Sequence, residues 1–259
     1  AGEIVPLNVY YVREALDKEL IINCYQHSKT IQIIKRAARY FPVIEPVLKE
    51  EGLPNDFKYL CVAESGLENV VSPAKAAGFW QFIPATAKFY NLEVSEDVDE
   101  RYNLEKSTRA ACQYLKKAKE NLGSWSLAAA AYNMGEVNLR KNIENQNIEN
   151  YWDLYLNQET SRYVYRILSY KLIMENPGLY GYEFCPAHLY HPIPCQEITV
   201  TSPILSLYDF AKEHKVSYKE LKSLNPWLRN SKISVSGKKY TLKIPQKSKN
   251  NYFDLYKHI

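Results

Sequence analysis

The stretch Tyr59-Leu60-Cys61-Val62-Ala63-Glu64-Ser65-Gly66-Leu67 places one carboxylate at the end of an apolar run. Glu64 is the only Asp or Glu between Asp56 and Glu68. A carboxyl group beside an apolar helix face is partly desolvated, and desolvation raises its pKa above the ordinary value of about 4.3. Such a group is a candidate general acid near neutral pH. The alternative is a helix-end carboxylate that points into water.

The residues before Glu64 predict where its helix begins. Gly52-Leu53-Pro54-Asn55-Asp56 indicates a break followed by a helix start, with one of the last two residues as the cap. The helix is expected to end near Gly66. Glu64 then lies one turn after Leu60, on the same face. The negative end of the helix dipole also disfavours a carboxylate there, which raises its pKa further.

Helical spacing dominates the chain from Val9 to Pro177, because apolar residues recur at intervals of three and four. The polar, Asn-rich stretch from Asn142 to Asn150 is predicted to be a surface loop. The expected fold class is therefore mainly α. Further helices are predicted over Pro84–Phe89, Glu105–Asn121, Ser126–Tyr132, Glu136–Asn142 and Thr160–Glu175.

The character of the sequence changes at Pro177-Gly178-Leu179-Tyr180-Gly181. Residues 181–196 contain three prolines, which is typical of a linker or an extended wrap. The residues that follow predict a β-α-α-β unit. Its elements are a strand over Glu197–Thr201, helices over Ser206–His214 and Ser217–Ser223, and a strand over Lys239–Ile244.

These changes predict four parts of the chain. We expect a helical domain over residues 1–178 with its motifs in about 40–175, and a linker over 179–196. A small βααβ module over 197–246 and a C-terminal tail over 247–259 follow.

Composition limits the classes of function. The net charge of +4 over 259 residues is mildly basic, and no dense Lys/Arg stripe with interleaved aromatics indicates nucleic-acid binding. The 22 Tyr and 4 Trp suit stacking on sugar rings, although most are expected in the core or its rim. No apolar run reaches the roughly 18 residues that a membrane span needs. The chain begins without a signal-like segment, so we expect any export signal to lie outside it.

The five cysteines are an odd number, so at least one is free or pairs outside the chain. Cys61 and Cys112 lie in apolar helical patterns and are expected in the core. Cys185 and Cys195 flank a short loop rich in Pro and His. A disulfide and a Cys/His metal site both stay open there, although the spacing matches no zinc pattern.

Two further motifs follow Glu64. They are Ala77-Gly78-Phe79-Trp80-Gln81-Phe82-Ile83-Pro84 and Ala131-Tyr132-Asn133-Met134-Gly135-Glu136. With Glu64-Ser65 they resemble three ordered motifs of the lytic transglycosylases that cleave bacterial peptidoglycan, nearest to the branch of membrane-bound lytic murein transglycosylase D. The resemblance covers about Tyr40 to Glu175. It implies a lysozyme-like, all-helical catalytic domain that uses no metal and no cofactor.

The resemblance also implies a reaction, cleavage of the β-1,4 bond between MurNAc and GlcNAc with formation of 1,6-anhydro-MurNAc. Glu64 would act first as an acid and then, as a carboxylate, as a base towards the C6 hydroxyl of the sugar. The MurNAc acetamido group would stabilise the anomeric centre, as in substrate-assisted glycosidases. A single carboxylate in the motif fits this intramolecular attack better than attack by water.

Six residues are expected to bind substrate by the same resemblance. Gln81 would lie on the floor of the cleft, and Ser65 near the acetamido group or Glu64. Ser65 could instead bond the backbone of its own helix. The full set is Ser65, Gln81, Tyr132, Asn133, Glu136 and Tyr163.

Alternatives stay open within this set. Tyr132 and Asn133 resemble the groups that position Glu64 and the acetamide, but a Tyr and an Asn that end an Ala-rich helix could serve packing and a C-cap. Phe79, Trp80 and Phe82 could form a sugar platform or part of the core. Val137 stands where the family often has a second Gly.

The small module resembles a LysM module, best over Val216-Ser217-Tyr218-Lys219-Glu220-Leu221-Lys222-Ser223-Leu224-Asn225-Pro226. It departs from the pattern at its first turn. LysM usually has Ser-Gly-Asp-Thr-Leu there, whereas this chain has Ser202-Pro203-Ile204-Leu205. Glycan binding and a purely structural cap are the two interpretations.

The expected partner is the peptidoglycan glycan strand, with no nucleic acid, and we expect a monomer. The substrate implies an exported protein, periplasmic or associated with the outer membrane, with any membrane anchor outside this chain. A hydrolase of goose-lysozyme type is one alternative, and it would need a carboxylate that holds a water opposite Glu64. A non-catalytic peptidoglycan-binding protein is the other.

Overall fold

The structure is a computed structural model that describes residues 1–234 and 237–246. The tail expected over 247–259 lies outside the described residues. The described part is mainly helical with one two-stranded sheet near its C-terminal end, so the expected fold class is confirmed. None of its helices combines the length and the apolar composition that a membrane crossing requires.

Eight helices form the larger part of the described chain. They are α1 (Tyr10–Tyr25), α2 (His27–Glu50), α3 (Phe57–Ser65), α4 (Pro84–Phe89), α5 (Leu104–Leu122), α6 (Trp125–Met134), α7 (Glu136–Gln146) and α8 (Gln158–Glu175). Short 3₁₀ turns cover Glu100–Tyr102, Tyr151–Asp153, Pro177–Tyr180 and Pro186–His188.

The helix α2 contains two prolines, Pro42 and Pro46, each of which removes a backbone donor. Because they are four residues apart, they lie on the same face of the helix. That face is exposed, whereas Ile44 and Leu48 are buried on the opposite side. The missing hydrogen bonds therefore fall on the solvent side of α2 and leave its core face intact.

The centre of the larger part is built around α3, α6 and α8. The helix α3 packs against α2 and α8, and α6 packs against α5, α7 and α8. Ala128–Ala131 of α6 are all buried. Since the distance between packed helices depends on the side chains at the contact, this alanine run lets the neighbouring helices approach closely. The end of α6 thereby lies next to α8.

The helix α3 ends where the sequence predicts, but its N-terminus is not capped as predicted. Gly66 follows the helix in the left-handed conformation, with φ of 60°. Asp56 occupies the N-cap position, but its side chain does not cap the helix. Its carboxylate instead binds the Nζ of Lys171 at 2.8 Å and the amino terminus of Ala1. The expected capping role is therefore wrong, because two cations compete for this carboxylate.

The prediction of a loop from Asn142 to Asn150 is wrong for its first half, because α7 continues to Gln146. Side chains along the helix support this extension. The Asn142 amide donates to the carbonyl of Asn138 at 2.9 Å, and Arg140 pairs with Glu136 at 2.7 Å. The left-handed Asn147, with φ of 52°, then ends the helix.

The small module has the expected β-α-α-β order. Its elements are β1 (Cys195–Val200), α9 (Leu207–Glu213), α10 (Tyr218–Leu224) and β2 (Tyr240–Pro245). The strands are antiparallel, with Cys195 opposite Pro245 and Val200 opposite Tyr240. Ser217 and Glu220 form a capping box at the start of α10.

The segment before β1 packs along the first two helices. The Tyr182 hydroxyl donates to the carbonyl of Cys24 at 2.7 Å, and the Tyr190 amide donates to the carbonyl of Lys35 at 3.1 Å. All five cysteines are free thiols, so Cys185 and Cys195 form no disulfide. Within residues 1–234 and 237–246, no cluster of three His, Cys, Asp or Glu side chains could hold a metal ion.

Gly78 has a left-handed conformation, with φ of 79°, and it packs against the backbone of Arg101. It therefore provides a test of the packing. A Cβ at this position would lie 2.0 Å from the carbonyl oxygen of Arg101. We expect Gly78→Ala to lower the free energy of unfolding by about 2–5 kcal/mol, from strain and overpacking together. Urea denaturation of the purified protein measures this change.

The matched control is Gly123→Ala. Gly123 also has a positive φ, 84°, but an added Cβ would meet nothing within 4 Å. Its cost should be only the backbone strain of about 1–2 kcal/mol. Equal losses for the two variants would contradict the close packing of Gly78 on Arg101.

Candidate active site

Glu64 lies in the last turn of α3, where its side chain is half-buried. The hydroxyl of Tyr163, from α8, donates a hydrogen bond to its Oε1. Tyr163 is itself buried, so α8 holds the donor rigidly. The packing of α3 against α8 therefore fixes both the position of the carboxyl group and its hydrogen-bond partner.

The surroundings of Glu64 favour the protonated acid. Burial raises the pKa of Glu64 to about 7, although the Tyr163 hydrogen bond and the positive charge of Arg166 both act to lower it. The negative charge of Glu159 acts in the same direction as burial. The upward pKa shift expected from the sequence is confirmed. The carboxyl group can therefore exist in either protonation state near neutral pH.

Tyr132 connects this region to the loop before α4. It lies at the end of α6, and its hydroxyl donates to the carbonyl of Trp80 at 2.7 Å. Burial and the nearby charge of Glu64 raise the pKa of Tyr132, so the phenol stays neutral. Its ring packs edge-on against Phe82 and Tyr114. A packing role is present, and it places the hydroxyl between α6 and the loop.

Asn133 is bound to the start of α8. Its Oδ1 accepts a hydrogen bond from the Thr160 hydroxyl at 2.8 Å, and its Nδ2 lies 3.4 Å from Oε1 of Glu159. The side chain therefore faces α8 rather than capping its own helix. This contact brings Asn133 beside Glu159, whose charge acts on Glu64.

Gln81 lies in the left-handed region, with φ of 50°. Its Nε2 donates to the carbonyls of Val70 at 3.0 Å and Gly78 at 2.7 Å. Both amide protons are thus used to hold the loop, and the side-chain oxygen has no partner among the described residues. Gln81 can offer a ligand an acceptor, at a position that the loop geometry fixes.

The aromatic residues around Gln81 belong to the core. Phe79, Trp80 and Phe82 are each at most 5% exposed. The Trp80 indole donates to the Thr108 hydroxyl at 2.8 Å. In this conformation the three rings support the loop from below, so they do not form an exposed sugar platform.

Ser65 and Glu136 are engaged with their own surroundings. The Ser65 hydroxyl donates to the carbonyl of Cys61 at 3.2 Å and accepts from the amide of Leu67 at 3.2 Å. This is the backbone role that the sequence left open. The Glu136 carboxylate accepts from Arg140 at 2.7 Å and Asn121 at 2.9 Å. Among the described residues, neither side chain has a hydrogen bond to Glu64.

A cavity of about 450 Å³ lies where the end of α6 meets the start of α8. It shares Asn133 and Glu159 with the surroundings of Glu64, and most of its lining is amide or hydroxyl. Such side chains suit the hydroxyl and acetamido groups of sugars. The lining residues are Asn133, Met134, Asn138, Lys141, Asn142, Asn157, Glu159 and Thr160.

Two charged residues that were not predicted from the sequence act on Glu64. Glu159 and Arg166 lie four residues before and three residues after Tyr163 on α8. That spacing places all three on one helix face. Helical periodicity around Tyr163 could therefore have identified them, and they shift the pKa of Glu64 in opposite directions.

Two parts of the chain match known protein families. Residues 41–155 match the transglycosylase SLT domain. This match includes Glu64, Gln81, Tyr132, Asn133 and Glu136. Residues 196–248 match the soluble lytic transglycosylase C-terminal LysM-like domain.

Curated relatives extend the similarity along the chain. It is 29% identical over 242 residues to membrane-bound lytic murein transglycosylase D of Escherichia coli K12, and equally to that of strain CFT073. The alignment covers 91% of this chain and 52% of the relative. The chain thus spans about half the length of these relatives.

Among solved structures, the chain is similar to an inactive mutant of the lytic transglycosylase Slt from Pseudomonas aeruginosa. The match covers 58% of this chain and 26% of that chain. The sequence identity is 19% and the TM-score is 0.42.

Tyr163→Phe tests the hydrogen bond that holds Glu64. Removing the donor removes an influence that lowers the pKa, so the pKa of Glu64 should rise above its value of about 7. Carbon-13 NMR titration of the Glu carboxyl groups, with the Glu64 signal assigned from Glu64→Gln, measures this shift.

The control is Tyr170→Phe, which lies two turns further along α8 and is also buried. Tyr170 has no hydrogen-bond partner among the described residues, so its loss should leave the Glu64 titration unchanged. A Glu64 signal that titrates identically in the wild type and Tyr163→Phe would rule out the role assigned to this hydrogen bond.

Proposed function

We propose that this protein is a lytic transglycosylase that cleaves the β-1,4 bond between MurNAc and GlcNAc in peptidoglycan and forms 1,6-anhydro-MurNAc. The observation that carries the proposal is the half-buried Glu64, with its pKa raised to about 7 and its carboxyl group held by Tyr163. The match to the SLT domain over residues 41–155 supports the same assignment.

In the first step, protonated Glu64 would donate its proton to the glycosidic oxygen as the bond from that oxygen to C1 of MurNAc breaks. The electron pair of the bond and the proton leave with the 4-hydroxyl group of GlcNAc. The MurNAc acetamido oxygen stabilises the positive charge that develops at C1. The negative charge left on Glu64 is stabilised by the Tyr163 hydroxyl and by Arg166.

In the second step, the Glu64 carboxylate would take the proton of the C6 hydroxyl while O6 attacks C1. This forms the 1,6-anhydro bridge, regenerates protonated Glu64 and consumes no water. A single group can serve as acid and then as base most effectively when its pKa is near the working pH. The raised pKa of Glu64 meets this requirement.

The substrate-binding residues would surround the two reacting sugars. Gln81 offers its side-chain oxygen from the loop, and the amide of Asn133 opens onto the cavity of about 450 Å³. We assign glycan contacts to both. Tyr132 and Tyr163 act on Glu64 and the loop through their hydroxyl groups. Ser65 and Glu136 would reach the substrate only by exchanging the partners that they now bind.

Glu159 favours one alternative, a hydrolase of goose-lysozyme type. It is an exposed carboxylate whose charge acts on Glu64, and it is placed beside Asn133. A carboxylate that holds a water on the opposite side of the sugar from the acid would produce hydrolysis. Glu159 is therefore the residue to examine when the two reactions are distinguished.

The proposed substrate also implies a location and a partner for the protein. We place the protein outside the cytoplasm, in the periplasm or at the outer membrane, because its substrate lies there. Its partner would be the glycan strand, and a monomer would suffice because Glu64 and the residues around it come from one chain.

Glu64→Gln tests the proposed acid. We expect turnover of purified peptidoglycan to fall by about 10²–10⁴-fold, because glutamine cannot transfer the proton. Mass spectrometry of the released muropeptides should find products lacking one water, relative to reducing ends, only with the wild type. Glu68→Gln is the control, since Glu68 is an exposed carboxylate four residues after Glu64 and pairs with Arg36.

The stability of Glu64→Gln provides a second measurement. The pKa of Glu64 is higher in the folded than in the unfolded protein. The contribution of protonated Glu64 to the free energy of unfolding is therefore fully present below about pH 4.5 and is lost as the pH rises through about 7. Glutamine lacks this loss, so at pH 8 the variant should unfold with a free energy about 1–3 kcal/mol higher than the wild type. Retained turnover, or a stability difference that does not depend on pH, would contradict the role of Glu64.

Glu159→Gln distinguishes the transglycosylase from the hydrolase. Anhydro products should persist, and the alkaline limb of kcat/KM should move to lower pH because a charge that raises the pKa of Glu64 is gone. Glu105→Gln is a matched control, because Glu105 is also an exposed acid in the first turn of a helix. Reducing-end products from the wild type that disappear in Glu159→Gln would establish the hydrolase instead.

A further inference from the structure

The C-terminal module is joined to the SLT domain by backbone pairing. The short segment 97–99 lies antiparallel to residues 227–229, with Val98 opposite Leu228. The Asp99 amide donates to the carbonyl of Trp227 at 2.8 Å, and the Arg229 amide donates to the carbonyl of Asp97 at 2.8 Å. The two parts therefore share a piece of β-structure.

Side chains extend this contact on both sides of the paired backbone. The Asp97 carboxylate accepts from the Asn230 amide at 2.9 Å and from the backbone amide of Ser234 at 3.1 Å. Glu93 accepts from the Tyr240 hydroxyl at 2.9 Å and pairs with Lys238 at 2.9 Å. The Arg229 guanidinium lies 4.3 Å from the centre of the Tyr102 ring.

The SLT domain also completes the hydrophobic core of the module. Ala77, Val98 and Tyr102 are buried in the same cluster as the apolar residues of α9, α10 and β2. Val98 and Leu228 are each 1% exposed. Without these SLT-domain residues, one side of the module core would be open to water, so the contact stabilises both parts.

Arg101 connects this interface to the loop that carries Gln81. Its guanidinium forms a bidentate pair with Asp99, at 2.9 and 2.7 Å. The remaining nitrogen donates to the carbonyls of Lys75 at 2.7 Å and Phe82 at 3.1 Å. Arg101 is buried. One side chain thus binds both ends of the segment 75–82.

The backbone conformation of segment 75–82 is unfavourable without contacts from residues outside the segment. Gly78 packs directly on the backbone of Arg101, and Gln81 adopts a left-handed conformation that non-glycine residues rarely take. Such strained positions persist only where their surroundings over-determine them. Here the surroundings are the 3₁₀ turn Glu100–Tyr102 and, behind it, the C-terminal module.

We infer that the C-terminal module positions the loop 75–82, which carries Gln81, through the paired segment 97–99 and the Arg101 side chain. The module is then a positioning element for the SLT domain, whether or not it also binds glycan. Asp97 and Arg101 are positioning residues, since they act on the substrate only through Gln81 and the loop. The effect on turnover rests on the proposed function, whereas the effect on the loop does not.

Hydrogen–deuterium exchange of the full chain tests the coupling directly. Asp97→Ala removes both side-chain bonds to the module, and Arg101→Lys keeps the charge but loses the fork that binds Asp99 and the two carbonyls. Both variants should exchange faster than the wild type at the amides of Ala77, Gly78 and Gln81. The amides of α6 should be unchanged, which excludes general destabilisation. Asp97→Asn, which keeps one acceptor, provides a milder variant if Arg101→Lys does not fold.

Glu213→Ala is the control, because Glu213 is an exposed acid on α9 of the same module. It should leave exchange in 75–82 at the wild-type rate. Unchanged exchange in that segment in both Asp97→Ala and Arg101→Lys would overturn the inference.

Turnover gives the second measurement. A misplaced binding loop should lower kcat/KM on peptidoglycan roughly tenfold in Asp97→Ala. The pH midpoint should stay at the wild-type value, since Glu64 is half-buried on α3 and the hydroxyl and charges that act on it, from Tyr163, Arg166 and Glu159, lie on α8. An unchanged rate despite faster exchange would show that the loop does not serve catalysis and would overturn that part of the inference. If the wild type releases no product from any peptidoglycan, the proposed function fails, whereas faster exchange in the variants would still support the coupling.

Discussion

The hydrogen bond from Tyr163 to Glu64 is the constraint on which the rest of the site depends. It places a carboxyl group in a half-buried position and gives it one neutral donor, so the group is neither fully solvated nor ion-paired. The result is a pKa of about 7, which costs stability at neutral pH but keeps a proton available. The packing of α3 on α8 and the left-handed Gly66 at the end of α3 both serve to maintain this arrangement.

Local signals explain what could be predicted from the sequence. The helices were predictable because of their periodic apolar residues, and five of those in the described chain begin at a side-chain cap formed by Asn103, Ser124, Asn157, Ser206 or Ser217. The raised pKa of Glu64 was predictable for the same reason. Its position one turn after Leu60 fixed the face on which it would lie, and that face is buried.

Contacts between distant parts of the chain explain what could not be predicted. The cap expected at Asp56 failed because Lys171, 115 residues away, binds its carboxylate. The roles of Gln81 and Arg101 depend on backbone conformations and carbonyl directions that no residue spacing encodes. The docking of the small module likewise depends on Asp97, in a stretch where the sequence carries no motif.

The site therefore combines two kinds of support. Glu64 and Tyr163 lie on the helices α3 and α8, whose positions follow from the packing of a continuous core. Gln81 lies on the loop 75–82, which has three residues at positive φ, Lys75, Gly78 and Gln81, and Arg101 binds both ends of this loop. A loop with strained backbone positions keeps its conformation better when more of the surrounding structure packs against it. This gives a physical reason for a small βααβ module to be fixed against the domain rather than tethered to it.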